Sequence, residues 1–137
     1  MAIEKTALVI DDDNICLTLL SELLDEERYK VATFSRPTCY MTLQETDRCP
    51  METPCYNVLL TDNQMPGMTG LEFLEMQRCK GCKIPDHHKA IISGSWTRGD
   101  LDKAAQLGCQ VFHKPYAFNQ IITWLEASQE KNQQPKR

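Results

Sequence analysis

The sequence predicts an α/β fold, one parallel sheet with helices on both faces. Two observations carry this. Five short apolar runs, each sized for a buried strand, alternate with five longer stretches of helical period. Four of those runs also end in polar, reactive residues, as strands do where a ligand site is built at their carboxyl ends. At 137 residues the chain suits one domain, large enough to bury a real core.

Ala7-Leu8-Val9-Ile10 is the first strand, followed by Asp11, Asp12 and Asp13. Ile15, Leu19, Leu20, Leu23 and Leu24 then recur at helical spacing, and Asp13 is a candidate cap. Lys30 to Phe34 is the second strand; Pro37 can open a second helix that includes Tyr40, Met41 and Leu43. Glu45 to Tyr56, with Pro50 and Pro54, has no period and is an unusually long joint. The third strand, Asn57 to Thr61, ends at Asp62, and Met65-Pro66-Gly67-Met68-Thr69-Gly70 makes a loop. Leu71, Phe73, Leu74 and Met76 start the third helix, and Cys79 to His88 is a second irregular joint. Ala90-Ile91-Ile92 leads to Ser93-Gly94. Leu101, Ala104, Ala105 and Leu107 mark a fourth helix closed by Gly108. Val111-Phe112 leads to Lys114-Pro115, and Phe118, Ile121, Ile122 and Leu125 stripe the last helix. The domain is expected over 5–127, with a frayed polar tail over 128–137.

The formal net charge of −4 speaks against a nucleic-acid partner. No apolar run reaches the roughly 18 residues that a membrane span needs, and the start does not read as a signal peptide. A cytoplasmic location is expected, with no membrane partner. Seven cysteines, an odd number, argue for reduced thiols rather than a disulfide framework.

The strand ends carry the chemistry. Asp11, Asp12, Asp62, Ser93 and Lys114 should meet at one edge of the sheet. Three adjacent carboxylates repel and raise one another's pKa, and a divalent cation removes that penalty. Magnesium suits such a site because it takes oxygen ligands and leaves room for a phosphate oxygen. One carboxylate can then attack phosphorus and form an acyl phosphate. Lys114 would offset the growing charge, and Ser93 could donate to a phosphate oxygen. Each residue alone has a plainer reading: the acidic run as a helix cap, Asp62 as a turn residue, Lys114 as a surface ammonium. Together they favour a site.

Ile10-Asp11-Asp12-Asp13, Leu60-Thr61-Asp62 with Met65-Pro66-Gly67-Met68-Thr69-Gly70, Ser93-Gly94 and Lys114-Pro115-Tyr116 resemble, in order, the signature of response-regulator receiver domains. The resemblance implies a flavodoxin-like, doubly wound sheet of order 2-1-3-4-5. It implies Asp62 as the phosphorylated residue, Asp12 as a direct magnesium ligand and Asp11 as a ligand through water. The Gln64 carbonyl would be a further ligand, and Gln64 and Ser95 would tune phosphate loss. A histidine kinase would be the phosphodonor, or a phosphotransfer protein. An effector protein would dock on the face of helix four, strand five and helix five. Such a chain is expected to be a stand-alone regulator and no enzyme beyond its own magnesium-dependent phosphorylation and dephosphorylation. A relay intermediate and a non-phosphorylated docking module are the rival readings. A magnesium phosphatase with an aspartyl nucleophile would want a second Asp at position 64, where Gln64 stands. One departure concerns the switch: Val111 occupies the place where many receivers carry an aromatic residue, and Phe112 should face the other side of the strand.

A second candidate lies at the opposite end of the sheet. Cys49 and Cys55 sit in one joint, and Cys79 and Cys82 in the other. With strands three and four adjacent, the four thiols could meet and hold a structural zinc, with His87 or His88 as spare ligands. Trp96 and Trp124 are candidate partner contacts.

Overall fold

The computed structural model describes residues 4–133 and shows a five-stranded, all-parallel sheet of order β2-β1-β3-β4-β5. The strands are β1 (Lys5–Ile10), β2 (Tyr29–Phe34), β3 (Val58–Asp62), β4 (Lys89–Ser93) and β5 (Gln110–His113). The helices are α1 (Asn14–Glu26), α2 (Tyr40–Gln44), α3 (Gly70–Cys79), α4 (Arg98–Leu107) and α5 (Phe118–Gln133). A short 3-10 turn, Asp86–His88, precedes β4.

Alternate residues of each strand feed opposite faces, so the two sides have separate cores. Ala7, Val9, Val58, Leu60, Ala90, Ile92 and Phe112 pack under α1 and α5, against Leu20, Leu24, Ile121 and Leu125. Leu8, Ile10, Leu59 and Ile91 face the other way, toward Leu71, Phe73 and Leu74 of α3 and Ala104 and Leu107 of α4. Leu59, Leu60 and Ile91 are wholly shielded, which explains why the central strands read as unbroken apolar runs.

Caps set the helix starts. Asp13 accepts from the Ile15 amide at 2.8 Å and opens α1. Thr69 and Glu72 form a reciprocal capping box at α3. Thr97 accepts from the Asp100 amide at α4, and Gly108, at φ +74°, closes that helix in the left-handed conformation.

Several expectations need correction. Helix α2 has only 5 residues and begins at Tyr40, not at Pro37; the Thr42 hydroxyl, accepting from the Cys39 amide at 2.8 Å, sets its start. Helix α5 continues to Gln133, past the boundary expected at 127. Ser128 is buried there and its hydroxyl donates to the Trp124 carbonyl, so the polar sequence hides one more inward-facing turn. Residues 134–137 of the expected tail lie outside the described residues. Trp124 is a core residue rather than a partner contact; its ring packs edge-on to Phe112 and its indole N–H donates to the His87 carbonyl.

Phe73 fills the centre of the α3 face and is fully buried. Phe73→Ala should cost about 3–5 kcal/mol. In thermal melts this should lower Tm by on the order of 10 °C; an unchanged Tm would mean that this face is not close-packed.

Candidate functional site

Parallel strands bring the expected residues together because their carboxyl ends share one edge. Asp11 leaves β1, its amide donating to the Phe34 carbonyl of β2 at 3.1 Å. Asp62 is the last residue of β3, opposite Ile92 of β4. Lys114 leaves β5, its amide donating to the Ser93 carbonyl at 2.9 Å. The backbone ladder thus fixes all three positions before any side chain is considered.

The Lys114 ammonium stands 2.9 Å from Asp62 Oδ1 and 3.6 Å from Asp11 Oδ2. Both carboxylates are buried, at 2% and 4% exposure, whereas Asp12 is exposed. Oxygens of Asp11, Asp12 and Asp62 lie within 4.8 Å of one another, the single such group of metal-ligating side chains among the described residues. That donor set fits a hard divalent cation such as magnesium.

Electrostatics favour a ligand here. Burial pushes the Asp62 carboxyl up, against the opposing pull of Lys114 and the Gln64 amide; the Asp12 charge adds to the rise. Burial likewise raises Asp11, opposed by its bond from the Asp13 amide and reinforced by the Asp62 charge. Burial alone would depress Lys114, but the Asp62 hydrogen bond and the Asp11 charge outweigh it and hold the ammonium charged. The site therefore has more negative charge than one lysine offsets.

The remaining expected residues divide. Ser93 is fully buried, but its hydroxyl is bound to Ser95, donating to the Ser95 carbonyl at 3.2 Å and accepting from its amide at 3.1 Å. Ser95 itself is exposed, as is Gln64, whose amide helps hold Asp62. Val111 packs with the α3–α4 core and Phe112 with the α1–α5 core, so Phe112 does face away from the position that an aromatic switch would use. Trp96 lies on Val111's side, and its indole N–H donates to the Phe112 carbonyl at 3.1 Å.

Three residues at the site escaped the sequence reading. Cys16 Sγ lies 3.9 Å from Lys114 Nζ; a thiol three residues after a cap looks like any helix residue. Asn63 is buried and its side-chain oxygen accepts from the Leu71 amide at 3.1 Å, tying the loop to α3. Gly70 was noted only as part of the loop. A Cβ there would lie 2.5 Å from the Asp62 carbonyl oxygen, so only glycine lets α3 start against the end of β3.

The zinc quartet does not form. Cys79 ends α3 on its exposed side, while Cys82, past the turn, packs inward with Cys49 and Cys55. No group of three thiols or histidines with metal-binding spacing occurs among the described residues.

Raised carboxyl pKa values mean that the folded chain binds protons more tightly than the unfolded one. The resulting stability is full below the ordinary value of 3.8 and is lost as pH rises through the raised folded values. Asp11→Asn should therefore raise Tm at pH 7.5 in chelator, with the gain shrinking toward pH 4; a lower Tm at pH 7.5 would refute the sign. Gly70→Ala should cost about 1–3 kcal/mol by urea unfolding, since helix or strand must shift.

Comparison with known proteins identifies the domain. Residues 7–126 match the family described as response regulator receiver domain. The two-component response regulator ORR6 of Oryza sativa subsp. japonica is 32% identical over 109 residues, covering 80% of this chain and 61% of that protein. ORR21 of Oryza sativa subsp. indica is 36% identical over 69 residues, 50% of this chain but 9% of that protein. The chain thus spans less than two thirds of these relatives. A Francisella response regulator receiver domain superimposes with TM-score 0.75 at 18% identity, covering 95% of this chain and all of that one. A CheY-like receiver from Methanospirillum hungatei gives 0.74 at 20% identity, over 95% and 98% of the two chains. With the acidic edge, the lysine and the strand order already in place, this chain belongs to the response regulator receiver domain family.

Proposed function

We propose that the chain is a phospho-switch that accepts a phosphoryl group on Asp62 from a histidine kinase and signals through protein contacts. The observation that carries the reading is the Lys114 ammonium, 2.9 Å from Asp62 and 3.6 Å from Asp11 in a buried acidic site. A purely structural ion pair would not need the surplus carboxylates, which burial makes costly.

An Asp62 carboxylate oxygen attacks phosphorus of the donor phosphohistidine. The P–N bond breaks, the imidazole nitrogen takes its electron pair, and an acyl phosphate forms on Asp62. Lys114 then pairs with a phosphoryl oxygen, as it now pairs with the carboxylate. Asp12, Asp62, Asp11 and the Gln64 carbonyl would hold magnesium, which supplies charge neutralisation at the phosphoryl oxygens. Ser93 would exchange its bond to Ser95 for one to the phosphoryl group, and the loop from Ser95 to Trp96 would follow. The chain catalyses only its own gain and loss of phosphate on this reading, with Gln64 and Ser95 beside the path of attacking water.

Modification adds about 1.5–2 negative charges at Asp62. The face of α4, β5 and α5 is the proposed effector surface, since Trp96 connects the loop to β5 through the Phe112 carbonyl. Among the described residues no helix is long and apolar enough to cross a membrane. A cytoplasmic place and protein partners suit this function.

Incubation with magnesium and acetyl phosphate should add one phosphoryl group, read by intact mass, and Asp62→Asn should abolish it. Lys114→Ala should leave some phosphorylation but slow it at least tenfold. Magnesium binding without any mass gain in wild type would overturn the proposal.

A further inference from the structure

The strap from Ser93 to Thr97 joins β4 to α4, and its residues hold different parts of the molecule. Ser93 is fully buried and exchanges two hydrogen bonds with Ser95, at 3.2 and 3.1 Å. A Cβ on Gly94 would sit 3.7 Å from Lys114 Cβ, so the strap passes beside the stem of the lysine. The Trp96 indole N–H donates to the Phe112 carbonyl at 3.1 Å. Its ring lies 6.0 Å from the His113 ring, tilted by 57°. The Thr97 hydroxyl accepts from the Asp100 amide at 3.0 Å and opens α4.

Trp96 differs from its neighbours in reach. The Ser93–Ser95 bonds and the Thr97 cap are local, whereas the indole crosses to β5, 16 residues further along the chain. Trp96 is half-buried against the α3–α4 core, on the same side as Val111. Phe112 and His113 also wall a groove of about 570 Å³ between β5 and α5, with Asn119, Gln120 and Thr123 across from them. One side chain therefore touches the wall of the effector face and follows directly on Ser95. Successive Cα atoms are held about 3.8 Å apart by a rigid peptide, so Ser95 cannot move far unless Trp96 gives.

We propose that Trp96 is a clasp that couples the acidic site to the effector face and, while shut, opposes phosphorylation at Asp62. The proposal rests on the reading of Asp62 as the phosphoryl acceptor. The Ser93 hydroxyl proton is committed to the Ser95 carbonyl, and a phosphoryl oxygen must take it from there. With the indole bound to Phe112, Ser95 stays in place and keeps that proton. With the indole released, Ser95 can withdraw, and the Phe112 carbonyl and the His113 ring lose their cover at the groove. Coupling of this kind is reciprocal: loosening the indole favours the modified site, and the modified site loosens the indole. What is lost is one neutral hydrogen bond, so the coupling is about two- to tenfold.

NMR of the full, isotope-labelled chain reads the indole N–H groups of its two tryptophans separately. Trp96→Phe keeps an aromatic ring, deletes the donor and identifies the Trp96 signal. Ser93→Ala opens the latch without any phosphate. In that variant the Trp96 indole proton should exchange with solvent about threefold faster or more, with Trp124 as the reference; unchanged exchange would overturn the proposal. With magnesium and acetyl phosphate, Trp96→Phe should gain its phosphoryl group about two- to tenfold faster than wild type by intact mass. A ring with a merely structural role would give an equal or slower rate, and that result overturns the proposal too. In wild type the Trp96 signal should shift as the mass rises while that of Trp124 stays. A mass gain with Trp96 unmoved refutes the clasp and leaves the acceptor reading intact. A wild type that takes up no phosphoryl group overturns the acceptor reading and the brake with it, and the Ser93→Ala exchange then shows separately whether the indole is tied to the site.

Discussion

Asp11 and Asp62 are taken out of water at the carboxyl edge of the sheet, and one lysine stands between them. Most of the arrangement around them can be understood as a response to that cost. Lys114 must leave β5 beside Ser93, so β5 must pair with β4. The Asp13 amide turns back to hold Asp11, and the Gln64 amide holds Asp62. Such a pairing is poor at stabilising a fold, since burying charges costs about as much as their attraction returns. Its value lies in leaving a negative field that a divalent cation can complete.

The architecture was legible because both periods in the sequence were clean. Strands such as Val58-Leu59-Leu60 are buried on two faces and so appear as continuous apolar runs, while α1 shows a helical stripe with Asp13 before it. Asp62, the acidic pair and the lysine could be found because the strand ends carry them. Illegible parts share a different cause. Strand β1 begins at Lys5 because its ladder with β2 opens there, opposite Tyr29, and Asn57 bonds Thr6 through both backbone and side chain, pairings between residues far apart in sequence. Gly70 is needed for its nearness to the Asp62 carbonyl, which a one-dimensional reading sees only as a loop glycine. Trp124 looked off-stripe on α5, yet it is buried because the 3-10 turn before β4 covers it.

The cysteines show the same limit more sharply. Spacing singled out Cys79 and Cys82 as a pair, and the fold separates them, one outward and one inward. Cys39, assigned to nothing by its neighbours in sequence, joins the buried group instead. Cys16 ends up at the opposite edge, within reach of Lys114. Thiols that look alike in composition therefore occupy three distinct environments, and reagents that count free thiols would report on different parts of the molecule in turn.

Ser93 binds Ser95 twice, as donor and as acceptor. The resting loop is thus latched, though weakly, by contacts worth about 0.5–1.5 kcal/mol each in net terms. A latch that light costs only a few kcal/mol to open. The loop is consequently a biased coin rather than a locked door. On the proposed reading, a phosphoryl group at Asp62 would change the odds of a conformation already within reach of the unmodified chain, and a partner that recognises it would hold a faint affinity for the resting protein as well.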